Sequence, residues 1–177
     1  MKGIKKYIFV AILSFFVLSW LGVIFGNSAQ TGEVSGGLSA KVCDMINSVI
    51  DPVFGFTVSH KFVRKFAHFA EYAILAALVA ADVIACVRAF TQKSRKSAAI
   101  FSALAIPLSV VVAAIDEFGV QASTLGRGPS IIDVLIDSSG AIIGTAFIAA
   151  VYMLIYRKKH ERSAELTDEK EILNTQE

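Results

Sequence analysis

The sequence predicts an all-α polytopic membrane protein: a bundle of four transmembrane helices with an amphipathic helix at the outer membrane interface. Three observations predict it. The 177 residues are 55% hydrophobic, with mean hydropathy +0.63, above the roughly 45–50% apolar usage of soluble domains. Four apolar runs reach the roughly 17–25 residues that a bilayer-crossing helix needs. Basic residues gather at alternate ends of these runs, as the positive-inside rule requires of a threaded chain. No long alternating stretch points to barrel strands, and an apolar run in lipid must satisfy its backbone internally, so each run is expected to be a helix.

The first run, about Tyr7–Phe25, follows Lys2, Lys5 and Lys6. Gly26-Asn27-Ser28 resembles the exit of a secretory signal, but the run exceeds the usual signal core, so a retained helix is expected. Over Ser35–Asp51, Leu38, Val42, Met45, Ile46 and Val49 recur at helical spacing, with Asp44, Asn47, Ser48 and Asp51 away from them. This is an amphipathic helix too short to span, suited to the interface or to capping the bundle. Gly36-Gly37 and Pro52 are expected to bound it. The second run, about Phe66–Val87, holds Asp82 near its far end, expected to meet a base or water. The third, about Ala98–Ile115, contains Pro107, which is expected to kink it. The fourth, about Ile131–Tyr156, is long enough to tilt or to project from the lipid. Ser130 followed by Asp133 fits a capping box at its start. The transmembrane domain is expected over 1–159 and a polar cytoplasmic tail, partly helical or disordered, over 160–177.

Lys2, Lys5 and Lys6 share a side with Arg88, Lys93, Arg95 and Lys96 of the second link and with Arg157, Lys158, Lys159 and Arg162 after the fourth run. That side is expected to be cytoplasmic, with both termini on it. The opposite loops carry Lys41, Lys61, Arg64, Lys65 and Arg127. Cys43 then lies outside and Cys86 near the inner end, too far apart for a disulfide, which needs Cα atoms within about 7 Å. The net charge of +2 is segregated by side. It implies no nucleic-acid partner, since orienting the chain accounts for the basic loops.

Charge at membrane depth is costly and marks function by default. Lys65, His68 and Tyr72 share a helix face, as do Arg64, His68, Glu71 and Leu75. Asp116, Glu117 and Gln121 close the third run. Arg127 follows between Gly126 and Gly128. Asp133, Asp137, Gly140 and Gly144 form one stripe of the fourth helix, whose small residues admit a close neighbour. A paired network that merely ties the helices would explain the near balance of signs, although a buried ion pair is a weak source of stability. The candidate ligand-binding residues are Lys65, His68, Glu71, Tyr72, Asp116, Glu117, Gln121, Arg127 and Asp133. Arg127 is the best oxyanion clamp, because its planar fork binds bidentately. Arg127 and Lys65 are expected to hold an anion, with Asp116 and Glu117 positioning the cations or His68. His68, Glu117 and Asp133 are expected to meet in one outward pocket. His60, His68 and His160 are scattered, so no metal is expected, and no cofactor motif or nucleophile elbow is present. Catalytic roles stay unassigned. An enzymatic alternative has Glu117 or His68 as general base and Arg127 stabilising developing charge. The sequence leaves the oligomeric state open.

Lys65-x-x-His68-x-x-Glu71-Tyr72-x-x-Leu75 resembles the first signature of the VanZ-like membrane protein family. Asp116-Glu117-x-x-x-Gln121, then Gly126-Arg127, Asp133 and Gly140-x-x-x-Gly144, resembles its second. Ser28-x-Gln30 is similar to a lesser family feature, and the resemblance covers roughly Tyr7 to Tyr156. Two positions depart from the pattern: Leu125 stands where Pro is common and Asp137 where Asn is common. The resemblance implies a role in the bacterial cell envelope, and the family's namesake is associated with low-level teicoplanin resistance. It implies no reaction. The expectation is therefore a protein that binds a membrane lipid or lipid-linked envelope component and influences glycopeptide susceptibility. The alternative is a membrane-embedded enzyme acting on a lipid-linked envelope precursor.

Overall fold

A computed structural model describes residues 2–91 and 94–175, so Lys93 of the basic link and the last two residues of the tail lie outside the described residues. The elements are α1 (Lys2–Ser28), α2 (Gly32–Phe54), α3 (His60–Phe90), α4 (Arg95–Phe101), α5 (Ala105–Ile115) and α6 (Ile131–Thr175). A 3₁₀ turn at Ser102–Leu104 joins α4 to α5, and a π-helical turn at Asp116–Val120 followed by a 3₁₀ turn at Gln121–Ser123 ends that helix. The fold is all-α, with four helices long and apolar enough to cross a membrane: Ile4–Ser28, His60–Phe90, Arg95–Ser123 and Ile131–Lys158. Each of the four expected runs falls inside one of these and is extended at one or both ends.

Helix α3 is the centre of the bundle and touches α1, α2, α4, α5 and α6. Its widest interface is with α6, and glycine makes it possible. A Cβ on Gly140 would strike the carbonyl oxygen of Phe69, and one on Gly144 that of Ala73. The stripe read from the sequence thus sets two backbones against each other. Alanine dominates the rest of the buried apolar set, with Ala76, Ala80, Ala98, Ala105, Ala113 and Ala141 fully inside. Tyr72, Leu75, Ile24 and Ala113 form the core cluster, flanked by Trp20 and Val134. Phe15, Leu18, Leu108 and Phe147 are exposed, as apolar side chains bordering lipid would be. Of the four membrane-length helices α1 is the least embedded, burying Ile24 and Ser28 at one end.

Helix α2 corrects two expected boundaries. It runs through Gly36-Gly37 and Pro52. It starts earlier because Thr31 accepts a hydrogen bond from the Val34 N–H, and it stops later because Gly55, at φ 69°, supplies the left-handed cap. Pro52 falls in the last turn, where one lost N–H bond is tolerable. Val34, Leu38, Val42, Met45, Val49 and Val53 form an exposed stripe at helical spacing. The face turned to the bundle holds Ser35, Ser39, buried Cys43 and Asn47. Asn47 brackets Val58, donating to its carbonyl at 3.1 Å and accepting its N–H at 2.8 Å.

Three smaller expectations are also revised. Pro107 acts one turn early: with no proline N–H to take the Ala103 carbonyl, the chain tightens to 3₁₀ over Ser102–Leu104. Among the described residues Asp82 accepts from the Ser14 hydroxyl of α1, at 3.1 and 3.3 Å, where a base was one expectation. The capping box is half formed. Ser130 Oγ accepts the Asp133 N–H at 3.3 Å, but the Ser130 N–H goes to Glu117 and the Asp133 side chain to Lys65. Helix α6 continues unbroken into the tail as far as Thr175, while the tail side chains apart from Arg162, His160 included, lie outside the described residues.

Candidate functional site

The polar groups converge where α1 and α5 end and where α2, α3 and α6 begin. The last turn of α1 leaves the apolar run with Asn27 and Ser28, and these two reach across the bundle. Asn27 donates to Glu71 Oε1 of α3 at 2.7 Å, and Ser28 Oγ donates to Asp116 Oδ2 at 2.7 Å. Trp20 Nε1 adds a 2.9 Å bond to the Glu71 carbonyl.

The π-helical turn explains how two adjacent carboxylates are both buried. Successive side chains of an α-helix diverge by about 100°, whereas the wider turn at Asp116–Val120 turns Asp116 and Glu117 inward, leaving them 0% and 1% exposed. Such turns recur at functional sites. Gln121, equally buried, donates to Glu117 Oε2 at 2.7 Å and Asp116 Oδ2 at 3.1 Å. Its own Oε1 accepts Arg127 Nη1 at 3.0 Å. Arg127 Nη2 bonds the Asn27 carbonyl at 3.3 Å, and its Nε is buried with no partner. Burial and the nearby charge of Arg64 push the Arg127 pKa below the ordinary arginine value. Arginine stays charged regardless, and the carboxylates of Asp116, Glu117 and Glu71 act on it in the opposite sense.

The loop around Arg127 is pinned to α2. Gly32 N–H donates to the Leu125 carbonyl at 2.9 Å, and a Cβ at Gly32 would collide with the Gly126 carbonyl. Gly126 has φ 75°, so both glycines are required there, while Gly128 has open space around it.

A cavity of about 160 Å³ opens among these elements. The end of α1 gives it Asn27, Ser28 and Gln30, and α2 gives Ser35, Leu38 and Ser39. Arg64, Ala67, His68 and Glu71 come from α3, and Arg127 from the loop. Of the residues expected from sequence, His68, Glu71 and Arg127 line it. Asp116 and Gln121 stand one hydrogen bond behind, through Ser28 and Arg127. Of His68, Glu117 and Asp133, expected to meet on one cavity, His68 alone lines this one. Glu117 is drawn to the Ser130 N–H at 2.7 Å, and Asp133 to Lys65 Nζ at 3.1 Å. Lys65 is consequently engaged outside the cavity rather than beside Arg127. Tyr72 lies beneath, 0% exposed, its hydroxyl unpartnered. Asp137 is buried too, with Oδ1 3.9 Å from His68 Nδ1, too far for a hydrogen bond.

Asn27, Ser28, Ser35, Ser39 and Arg64 were absent from the sequence-based candidate set. For Arg64 the signal was its place in the His68–Glu71 row. For Asn27 and Ser28 it was the break in the apolar run. A larger groove of about 530 Å³ lies between α1 and α6 near Lys6 and Arg88. Apart from Lys6, Arg88 and Tyr152 its walls are apolar.

Four apolar spans around a buried polar network with a small cavity at one end define a multi-pass helical membrane protein. The chain belongs to the VanZ/LLP1 family, whose model matches residues 13–156. No curated protein and no solved structure matches it.

Proposed function

We propose that the protein is a cell-membrane protein of the bacterial envelope that binds an anionic or amphiphilic envelope component, a membrane lipid or lipid-linked molecule, in this cavity. One observation carries the reading. Arg127 faces the cavity with neutral partners on two nitrogens and none on its buried Nε, so a guanidinium is presented without a carboxylate of its own. The asymmetry of basic residues supports cytoplasmic termini and an outward cavity. In this reading residues 1–159 form the membrane domain and 160–177 a cytoplasmic extension. Family membership supports an influence on teicoplanin susceptibility.

The test uses a strain lacking the protein, complemented with the wild type or Arg127→Ala at matched membrane levels. The wild type should restore teicoplanin tolerance and retain an anionic lipid or lipid-linked molecule detectable by mass spectrometry after purification. The variant should lose both. Full tolerance with Arg127→Ala would reject the reading. The enzymatic alternative has one supporting observation, the His68–Asp137 approach at 3.9 Å, which would orient His68 as a general base once shortened. Conversion of a lipid-linked precursor that fails in His68→Gln while precursor binding persists would favour it.

A further inference from the structure

We propose that Arg64 and Arg127 act together as a two-guanidinium clamp for a phosphate-sized oxyanion. The proposal rests on the reading of the cavity as an anion site and specifies its chemistry.

Neighbouring residues on α3 have opposite fates. Lys65 is paired with Asp133. Arg64, half-buried in the cavity wall, has no hydrogen bond or ion pair among the described residues. It adjoins Arg127 closely enough for its charge to weigh on that group. A negative group between the two arginines would relieve their mutual repulsion. The carboxylates of Asp116, Glu117 and Glu71 act on Arg127 through space, but their hydrogen bonds go to other groups. Asp116 is held by Ser28 and Gln121, Glu117 by Gln121 and the Ser130 N–H, and Glu71 by Asn27 on Oε1. Neither guanidinium therefore has a carboxylate in hydrogen-bond contact among the described residues, and the two forks suit an oxyanion that accepts bidentately from each.

Size narrows the class. A cavity of about 160 Å³ lies below the roughly 300–1,000 Å³ of drug-sized sites. A phosphate group fits and a whole glycopeptide does not. Gln30 and Ser35 offer neutral donors, and Leu38 and Ala67 give an apolar flank for a substituent. Glu71 is an acidic wall residue and opposes a fully ionised anion. Its free oxygen can accept a P–OH proton, which a phosphate monoester partly retains near neutral pH with a second pKa of about 6. A carboxylate ligand has no such proton. A lipid phosphate and free phosphate share this chemistry.

Calorimetric titration of the full chain in a neutral maltoside detergent tests the clamp, with dihexanoyl phosphatidic acid, inorganic phosphate and hexanoate as probes. Phosphatidic acid should bind, and Arg64→Gln and Arg127→Gln should each weaken it by roughly tenfold or more, the scale of a lost charge-assisted bond. Hexanoate should bind far more weakly. Tighter binding of phosphatidic acid than of inorganic phosphate assigns the site to a lipid; equal binding assigns it to free phosphate. Arg64→Lys keeps the charge and should lose affinity several-fold, so it decides the matter if Arg64→Gln aggregates. Wild-type affinity in Arg64→Lys or in folded Arg64→Gln overturns the clamp. If Arg127→Gln alone loses binding, the clamp falls and the anion site stands. If the wild type binds none of the three probes, both fall.

Discussion

Glu117 Oε1 accepts the backbone N–H of Ser130 at 2.7 Å, binding the π-helical turn to the first residue of the α6 cap. The carboxylate therefore spends one oxygen on Ser130 and the other on Gln121, and it works as a joint between helices rather than as a cavity wall. Glu117→Gln puts an amide N–H₂ opposite a donor on one side or the other. It should lower unfolding stability in detergent by about 1–3 kcal/mol, read from the midpoint of thermal aggregation. Anion affinity per folded molecule should stay close to that of the wild type.

Gly140→Ala and Gly144→Ala should each fail to give monodisperse protein on size exclusion, because the added Cβ meets an α3 carbonyl that cannot rotate away. Overpacking ordinarily costs about 1–3 kcal/mol, and backbone-to-backbone collision lies at or above the top of that range. Gly22→Ala, which meets open space on α1, is the control. It should be neutral or slightly stabilising, by up to about 1 kcal/mol.

Lys65→Ala should leave anion binding within about twofold of wild type and cost roughly 0.2–1 kcal/mol of stability, the range for an exposed pair. Its side chain is 45% exposed and its charge is taken by Asp133. A loss of binding equal to that of Arg127→Gln would return Lys65 to the cavity wall.

Sidedness is best read at Leu125, which is 82% exposed beside the cavity. Cys43 is unsuitable, being buried and bonded to the Val58 carbonyl at 3.2 Å. In a chain with Cys43 and Cys86 replaced by Ala, Leu125→Cys should react with an impermeant maleimide on intact cells. Ser94→Cys should react after permeabilisation alone. The reverse pattern would invert the orientation.

The spans were legible because apolar runs of bilayer length have few alternatives in lipid, and the α3–α6 contact was legible because small residues four apart mark one stripe. The polar wiring was not. Arg64 and Lys65 are adjacent cations about 100° apart on α3. Which one meets the cavity depends on the rotation of α3, fixed by how tightly Gly140 and Gly144 seat it. Glu117 could not be aimed from spacing because the π-helical turn alters the register after Ile115. Asn27 and Ser28 are ordinary helix-end residues until their partners on α3 and the turn are in place. Thr31 and Gly55, rather than Gly36-Gly37 and Pro52, bound α2, because a cap bond and a left-handed residue stop a helix more firmly than intrinsic propensity does.

The outward apolar stripe of α2 makes the surrounding solvent a partner in ligand affinity. Val34, Leu38, Val42, Met45, Val49 and Val53 are exposed on the helix that supplies Ser35, Leu38 and Ser39 to the cavity. At roughly 1.5–3 kcal/mol per fully covered large apolar side chain, hydrocarbon against this stripe can contribute on the order of 10 kcal/mol to keeping α2 in place. That rivals the whole of a typical domain's net stability of about 5–15 kcal/mol. A loosely packed micelle supplies less of it than a bilayer, so dissociation constants measured in detergent should exceed those measured in nanodiscs, and by more as the detergent shortens.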